Sequence, residues 1–153
     1  MRFSLFSVLA AAPPSVLAAL LLTSAPALAV QDQPIRSGDI EAVCTGVGSA
    51  KDDPRWTAYP VKIVLATQNG ANLANAHITL SKEGRGKGGQ AAMQFDCDAP
   101  WVLVKAPPGS YSATATLVRD TTISRSVNFS TSGSGPQREL TLMFPVPAAT
   151  AAN

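Results

Sequence analysis

The chain has 153 residues, of which 46% are apolar, 14% charged and 6% aromatic. This length suffices for one domain with its own core and is too short for two ordinary domains. The single histidine excludes sites that are built from several imidazoles. Beyond the first 29 residues, whose one charged side chain is Arg2, 11 Lys and Arg stand against 10 Asp and Glu, a formal charge of +1. Such a near-neutral chain lacks the clustered basic excess that nucleic-acid binding requires.

Residues 1–29 have the features of a secretory signal peptide. Arg2 and the α-amino group form a positive start, and a mostly apolar run follows. Ala27 and Ala29 supply the small residues at positions −3 and −1 that a signal peptidase requires. A permanent membrane anchor is the alternative, but the run is short and two prolines interrupt it. We therefore expect cleavage near Ala29 and a periplasmic or secreted protein.

The sequence after residue 29 predicts short β-strands separated by turn residues. Residues 30–38 are interpreted as a linker, residues 39–145 as one domain and residues 146–153 as a disordered Ala/Pro tail. Eight runs have the alternation or β-branched composition of strands: Ile40–Cys44, Pro60–Thr67, Ala76–Ser81, Ala91–Cys97, Trp101–Lys105, Tyr111–Val118, Ile123–Ser130 and Glu139–Phe144.

The turns between these runs indicate an all-β fold. Asn69-Gly70 favours a turn, because both residues tolerate positive φ, and predicts that the second and third runs are antiparallel neighbours. Only Asp53–Ala58 has the pattern of a helical turn. Short strands without an amphipathic helix predict a single β-sandwich of seven or eight strands.

Two cysteines, Cys44 and Cys97, remain in the exported part. An even count in an oxidising compartment favours a disulfide, worth about 4 kcal/mol in the chain-entropy model. Two buried thiols are the alternative. No Cys-x-x-Cys spacing supports a redox-active pair.

Several short motifs resemble a known family. Leu73–Leu80 resembles the Leu-x-Gly-Ala-x-Val-x-Leu strand of carboxypeptidase regulatory-like domains, and Pro107–Ala113 resembles their Pro-Pro-Gly-x-Tyr turn and strand. Gly46-Val47-Gly48 and Asp98-Ala99-Pro100 are similar to further segments of small exported proteobacterial members. The resemblance implies a transthyretin-like β-sandwich that serves as an accessory module without its own activity. It also favours the Cys44–Cys97 disulfide.

The segment 53–60 is the first candidate binding site. It places Arg55, Trp56 and Tyr59 within five residues, and such side chains are enriched in binding hot spots. The alternative is that Trp56 and Tyr59 cap one end of the core, as large aromatics do in small β-domains. Trp101 is expected to pack beside the cysteine bridge.

A second candidate is the basic, glycine-rich connection around residues 82–89. Lys82, Arg85 and Lys87 are candidates for contact with an anionic surface such as lipid head groups or glycan. A phosphate-binding loop is not supported, because glycine rather than Ser or Thr follows the Gly-Lys pair. A mobile hairpin loop is the alternative.

The polar residues do not form a recognisable catalytic or metal-binding set. His77 falls on the polar face of its strand, and no further imidazole is present to complete a metal site. Asp96 and Asp98, like Asp52-Asp53, lack the spacing of a calcium loop, so turn capping and solubility are expected. We therefore expect no catalytic residue, metal or cofactor.

These observations predict a non-enzymatic exported β-sandwich that binds a protein or another envelope component. Membrane contact is expected only through the signal peptide before cleavage. A carbohydrate- or peptide-binding module is the first alternative. A small hydrolase or metal-dependent enzyme on the same scaffold is the second.

Overall fold

A computed structural model describes residues 32–84 and 90–145. Within these ranges the chain forms nine strands, no α-helix and two short 3₁₀ helices, Gly48–Asp52 and Pro54–Ala58, so the expected all-β class is confirmed. Each of the eight predicted runs overlaps an observed strand, and their ends differ by at most two residues. The strands are β1 Pro34–Ser37, β2 Ile40–Thr45, β3 Val61–Thr67, β4 Ala76–Lys82, β5 Gln90–Cys97, β6 Trp101–Lys105, β7 Gly109–Leu117, β8 Ser124–Thr131 and β9 Arg138–Phe144.

The strands form two sheets that enclose the main core. Sheet A has the order β1-β2-β6-β3-β9 and sheet B the order β5-β4-β7-β8. Alternation places Ile63 and Leu65 of β3 and Ile78 and Leu80 of β4 in one buried cluster. The result is a β-sandwich-like arrangement, with aromatic side chains such as Phe144 also fully buried between the sheets.

The ninth strand comes from the segment that was interpreted as a linker. Pro34–Ser37 pairs antiparallel with β2 through a tight turn in which Ser37 lies opposite Ile40. Ile35 is partly buried against the core. The polar composition of this segment hides its one apolar anchor, so it was missed as a strand. The predicted signal peptide, residues 1–29, and the predicted tail, residues 146–153, lie outside the described residues.

The expected antiparallel pairing of the second and third runs is wrong. β3 belongs to sheet A and β4 to sheet B. Gly70, at φ +85°, does form a turn, and the Leu73 amide donates to the Leu65 carbonyl. The chain pairs only briefly along β3 and then passes to the other sheet at Asn75, at φ +63°. Alternation reports which face a residue occupies and does not report which strand lies beside it.

The connection from β2 to β3 positions the candidate site. Both strands pair antiparallel with β6, which lies between them, so they run parallel to each other. The chain must therefore return along the sheet and cross β6 before β3 begins. Residues 46–60, which contain both 3₁₀ helices, make this crossing over the outer face of sheet A. No helix in the described part of the chain is long and apolar enough to span a membrane.

Candidate functional site

Local capping shapes the crossing segment, residues 46–60. Asp53 separates the two 3₁₀ helices and caps the second, because its carboxylate accepts a hydrogen bond from the Arg55 amide at 2.9 Å. Pro54 follows at the first helical position, where its missing N–H leaves no donor unsatisfied. The predicted helical turn and the capping role of Asp53 are both present in the structure.

The side chains of Trp56 and Tyr59 lie between this segment and the sheet, and each residue is only 5% exposed. With Val43 and Leu103, they form a second apolar cluster on the outer face of sheet A, separate from the main core. Their ring centroids are 6.1 Å apart, and Trp56 Nε1 donates to the Ala50 carbonyl at 2.5 Å. Burial makes both rings structural supports of the segment, and they lie against a sheet face rather than at an end of the main core.

The Tyr59 hydroxyl connects this cluster to a charged pair. It donates to Glu41 Oε1 at 2.6 Å, while Arg36 Nε donates to Glu41 Oε2, also at 2.6 Å. Burial, reinforced by the bond to Glu41, raises the pKa of Tyr59 far above its usual value. The hydrogen bond from Tyr59 is the largest of the effects that lower the pKa of Glu41. The neutral phenol and the ionised carboxylate therefore stabilise each other.

Gln137, just before β9, holds the end of the crossing segment. Its side-chain amide donates to the Trp56 carbonyl at 2.8 Å and to the Tyr59 carbonyl at 3.0 Å. The Trp56 carbonyl also accepts a hydrogen bond from the Tyr59 backbone amide, so Gln137 adds a second donor to Trp56 and supplies a donor to the Tyr59 carbonyl at the end of the second 3₁₀ helix. Sequence reasoning missed Gln137, because nothing local marks a partner that is about 80 residues away.

Arg55 is the one accessible member of the predicted trio, with its side chain 63% exposed. Its guanidinium lies 4.9 Å from the centroid of the Trp56 ring and 2.7 Å from the Asp53 carboxylate. The hydrogen bond between these side chains lowers the pKa of Asp53 and raises that of Arg55. Arg55 is thus held against Asp53 and Trp56 while most of its side chain stays exposed to solvent.

A groove beside Arg55 separates the 3₁₀ helices from β6 and has a volume of about 220 Å³. Trp101 lies in its wall, with Lys62 Nζ 3.6 Å from the ring centroid and 3.0 Å from the Glu139 carboxylate. Gly46 lies against the same ring. The lining combines aromatic, charged and amide groups and includes Asp52, Trp56, Thr57, Lys62, Trp101 and Gln137.

The position of Trp101 corrects the expectation that its ring packs beside the disulfide. Trp101 pairs with Thr45, whereas the next residue along β6, Val102, pairs with Cys44. Since side chains alternate, the Trp101 ring points to the outer face and the disulfide to the inner one. The sequence could have indicated this arrangement through the two-residue period of a strand. Trp101 and Leu103 share one face of β6, and Val102 and Val104 share the other.

Cys44 and Cys97 form a disulfide between the sheets. Their Cα atoms are 5.5 Å apart, and Cys44 belongs to β2 while Cys97 ends β5. Both residues are buried at about 1% exposure. The bridge therefore joins sheet A to sheet B inside the main core, at the end of the molecule where the crossing segment begins.

The second predicted patch is only partly described. Lys82 ends β4, with its Nζ 6.0 Å from the centroid of the buried Tyr111 ring. Arg85 and Lys87 lie outside the described residues. Burial raises the pKa of Tyr111, whose hydroxyl donates to the Pro107 carbonyl at 2.9 Å.

His77 lies on the outer face of sheet B. Its Nδ1 is 2.8 Å from Asp96 Oδ1 on the neighbouring strand, and the two side chains are 45% and 73% exposed. Among residues 32–84 and 90–145, no group of three His, Cys, Asp or Glu side chains is arranged to hold a metal ion.

Comparison with protein-family models, with curated proteins and with solved structures gives no match for this chain.

Proposed function

We propose that the protein is an exported, non-enzymatic module that binds another component of the cell envelope. Two features support export: the signal-like residues 1–29 and the disulfide between Cys44 and Cys97, which suits an oxidising compartment. We further propose, from the motifs of residues 43–144, that its fold is of the carboxypeptidase regulatory-like, transthyretin-like type. Two sheets joined through one core are compatible with that fold.

The observation that carries the proposal is how the crossing segment is built. Two aromatic rings, a capping aspartate and the Gln137 amide fix a short connection on the outer face of sheet A. This framework holds an exposed guanidinium against Asp53 and Trp56, which both line a groove that contains a second tryptophan. Preorganised arginine and aromatic side chains lose little entropy on binding, which is why they dominate protein interfaces.

The test is crosslinking of a tagged copy in the producing cells, followed by mass spectrometry of what co-purifies. We expect Arg55→Ala and Thr57→Arg each to reduce recovery of a reproducible envelope partner at least fivefold. The first removes the exposed cation and the second fills the groove. Matched controls are Arg119→Ala, which removes an exposed cation elsewhere, and Ser126→Arg, which adds the same bulk to the outer face of sheet B.

Variants are compared only when their thermal unfolding matches that of the wild type. Unchanged recovery with both groove variants would contradict this binding surface. Recovery of no partner at all would contradict the interaction-module function and shift attention to small ligands. Equal losses in the Arg119→Ala and Ser126→Arg controls would show that the effect is not specific to the groove.

A peptide- or carbohydrate-binding module is the second candidate, because Trp56 and Trp101 both line the groove. Titration with short peptides and soluble oligosaccharides would then change tryptophan fluorescence, and Trp101→Phe would reduce that change. Gly46 and Lys62 already lie against the Trp101 ring and leave little of its face for a sugar to stack on. This contact favours a protein partner over a carbohydrate.

A further inference from the structure

A second cleft opens at the end of the molecule between β8 and β9. It has a volume of about 170 Å³ and shares no lining residue with the groove beside Arg55. Its wall includes Pro60, Ser130, Thr131, Ser132, Ser134 and Arg138. The cleft thus combines one guanidinium with four hydroxyl groups, and the part of its lining that the structure describes contains no carboxylate.

The register of β9 explains why Arg138 faces this cleft. Arg138 pairs with Val61 and Glu139 with Lys62 in the parallel ladder between β9 and β3. Because paired residues point to the same face, Arg138 leaves the sheet on the side of the buried Val61, at the open end between the sheets. Its backbone amide donates to the Pro60 carbonyl at 2.9 Å, which fixes the start of the strand.

Arg138 is also not neutralised by a neighbouring acid. Glu139 points to the opposite face and pairs with Lys62 at 3.0 Å. Among the described residues, no carboxylate lies within ion-pair distance of the Arg138 guanidinium. Within the described part of the chain, the cleft therefore presents a cation that no carboxylate pairs with.

The end of β8 and the loop that follows it supply the four hydroxyl groups of the cleft lining. The Gly133 amide donates to Thr131 Oγ1 at 3.0 Å, and Ser132 Oγ donates to the Ser134 carbonyl at 2.7 Å. Gly133, at φ +84°, also lies against Pro108: a Cβ at this position would be 3.3 Å from the proline Cδ. The loop is thus folded back on itself and packed against the turn between β6 and β7.

We propose that this cleft binds an oxyanion group, either a phosphate or a carboxylate carried by a small ligand. The guanidinium offers a planar fork of N–H donors that matches both groups, and hydroxyl donors rotate to suit the acceptor. The site is independent of the groove proposed for the envelope partner, so either can fail without the other.

The experiment is an NMR titration of the uniformly ¹⁵N-labelled mature protein with inorganic phosphate, acetate and chloride at matched ionic strength. We expect saturable shifts of amides in residues 131–138 with phosphate or acetate, and no saturation with chloride. Response to phosphate alone identifies a phosphate-type ligand, and response to acetate identifies a carboxylate. Arg138→Gln is expected to weaken the response about tenfold, since hydrogen bonds to charged groups are the strong ones.

Two further variants separate the site from general electrostatics. Arg125→Gln removes an exposed cation from β8 that does not line the cleft, and its affinity should equal that of the wild type. Ser134→Ala removes a hydroxyl of the cleft lining without removing the hydrogen bond that Ser132 makes within the loop, and it should weaken binding about threefold. Identical shifts with chloride, or an unchanged affinity in Arg138→Gln, would overturn the proposal.

Discussion

The two sheets have similar inner faces and very different outer faces. On sheet A, the outward positions of β2 and β6 carry Val43 and Leu103, which are fully buried beneath Trp56 and Tyr59. On sheet B, the outward positions of β7 and β8 carry hydroxyl residues and Asn128, and Thr114 Oγ1 lies 2.7 Å from Ser126 Oγ. Among the described residues, the outer face of sheet A is therefore covered by chain, whereas polar side chains of sheet B are exposed or half-buried.

The difference teaches how outward-facing residues decide the fate of a connection. An apolar pair on the outer face gives a passing segment something to bury, and the burial of two aromatic rings fixes that segment. Hydroxyl residues offer no such gain, since water satisfies them as well as a loop does. The segment that carries Arg55 and one wall of the groove is held in place by its packing on the apolar outer face of sheet A.

The largest expected effect comes from removing the ring that fixes the crossing segment. Trp56→Ala should reduce the free energy of unfolding by about 3–5 kcal/mol, because it deletes a buried aromatic side chain. Thr114→Ala on the outer face of sheet B should change it by less than about 1 kcal/mol. Urea unfolding under non-reducing conditions measures both. Equal values for the two variants would contradict the structural difference between the faces.

Gly46 tests how closely the crossing segment approaches the sheet. Its φ is +102°, and an added Cβ would lie 2.6 Å from two atoms of the Trp101 ring. We expect Gly46→Ala to cost about 1–3 kcal/mol and to alter the tryptophan fluorescence. Gly70→Ala is a matched control with a positive φ of +85° and open space around its Cβ. If both variants lose the same stability, backbone strain alone is responsible and the contact with Trp101 is unimportant.

Tyr59→Phe tests the hydrogen bond to Glu41 and its dependence on pH. We expect the wild type to be more stable by about 1 kcal/mol at neutral pH. Because the pKa of folded Glu41 is lowered, this advantage should decline as pH falls below the usual carboxyl value of 4.5. Because the pKa of folded Tyr59 is raised, it should also decline as pH rises above the usual phenol value of 10.0.

Unfolding free energies of both proteins across this pH range provide the measurement. A difference that stays constant from acidic to alkaline pH would show that the two groups do not stabilise each other through their ionisation. The same comparison is made in a Glu41→Gln background. There the stability difference between the protein with Tyr59 and its Tyr59→Phe variant should no longer change as pH falls below 4.5.

The smallest expected effect belongs to the exposed pair on sheet B. His77→Gln should change the free energy of unfolding by less than about 1 kcal/mol, because both partners are solvated. Asp96→Asn should behave in the same way. A loss of several kcal/mol in either variant would mean that the outer face of sheet B is not simply hydrated.

Local patterns predicted most of the fold and less of the site. Alternation located strands such as β4 and β7, whose inner and outer faces differ, whereas the β-branched composition located β2 and β6, which are buried on both faces. These patterns missed β1, whose single anchor is Ile35, and they did not identify which strands are neighbours. The cluster of Trp56 and Tyr59 was foreseen as an alternative, but its place on an outer face depends on the crossing over β6, a long-range property. Gln137 and Arg138 became visible only once β9 was placed beside β3.

The most direct test of the central claim compares the two outer faces in the cell. A photo-crosslinking amino acid is placed at Thr57, beside the groove, or at Ser126, on the hydroxyl face of sheet B; both side chains are exposed. We expect a discrete crosslinked product with an envelope component from position 57 and none from position 126. A product from position 126 alone would contradict the claim that the protein binds its partner through the covered face of sheet A.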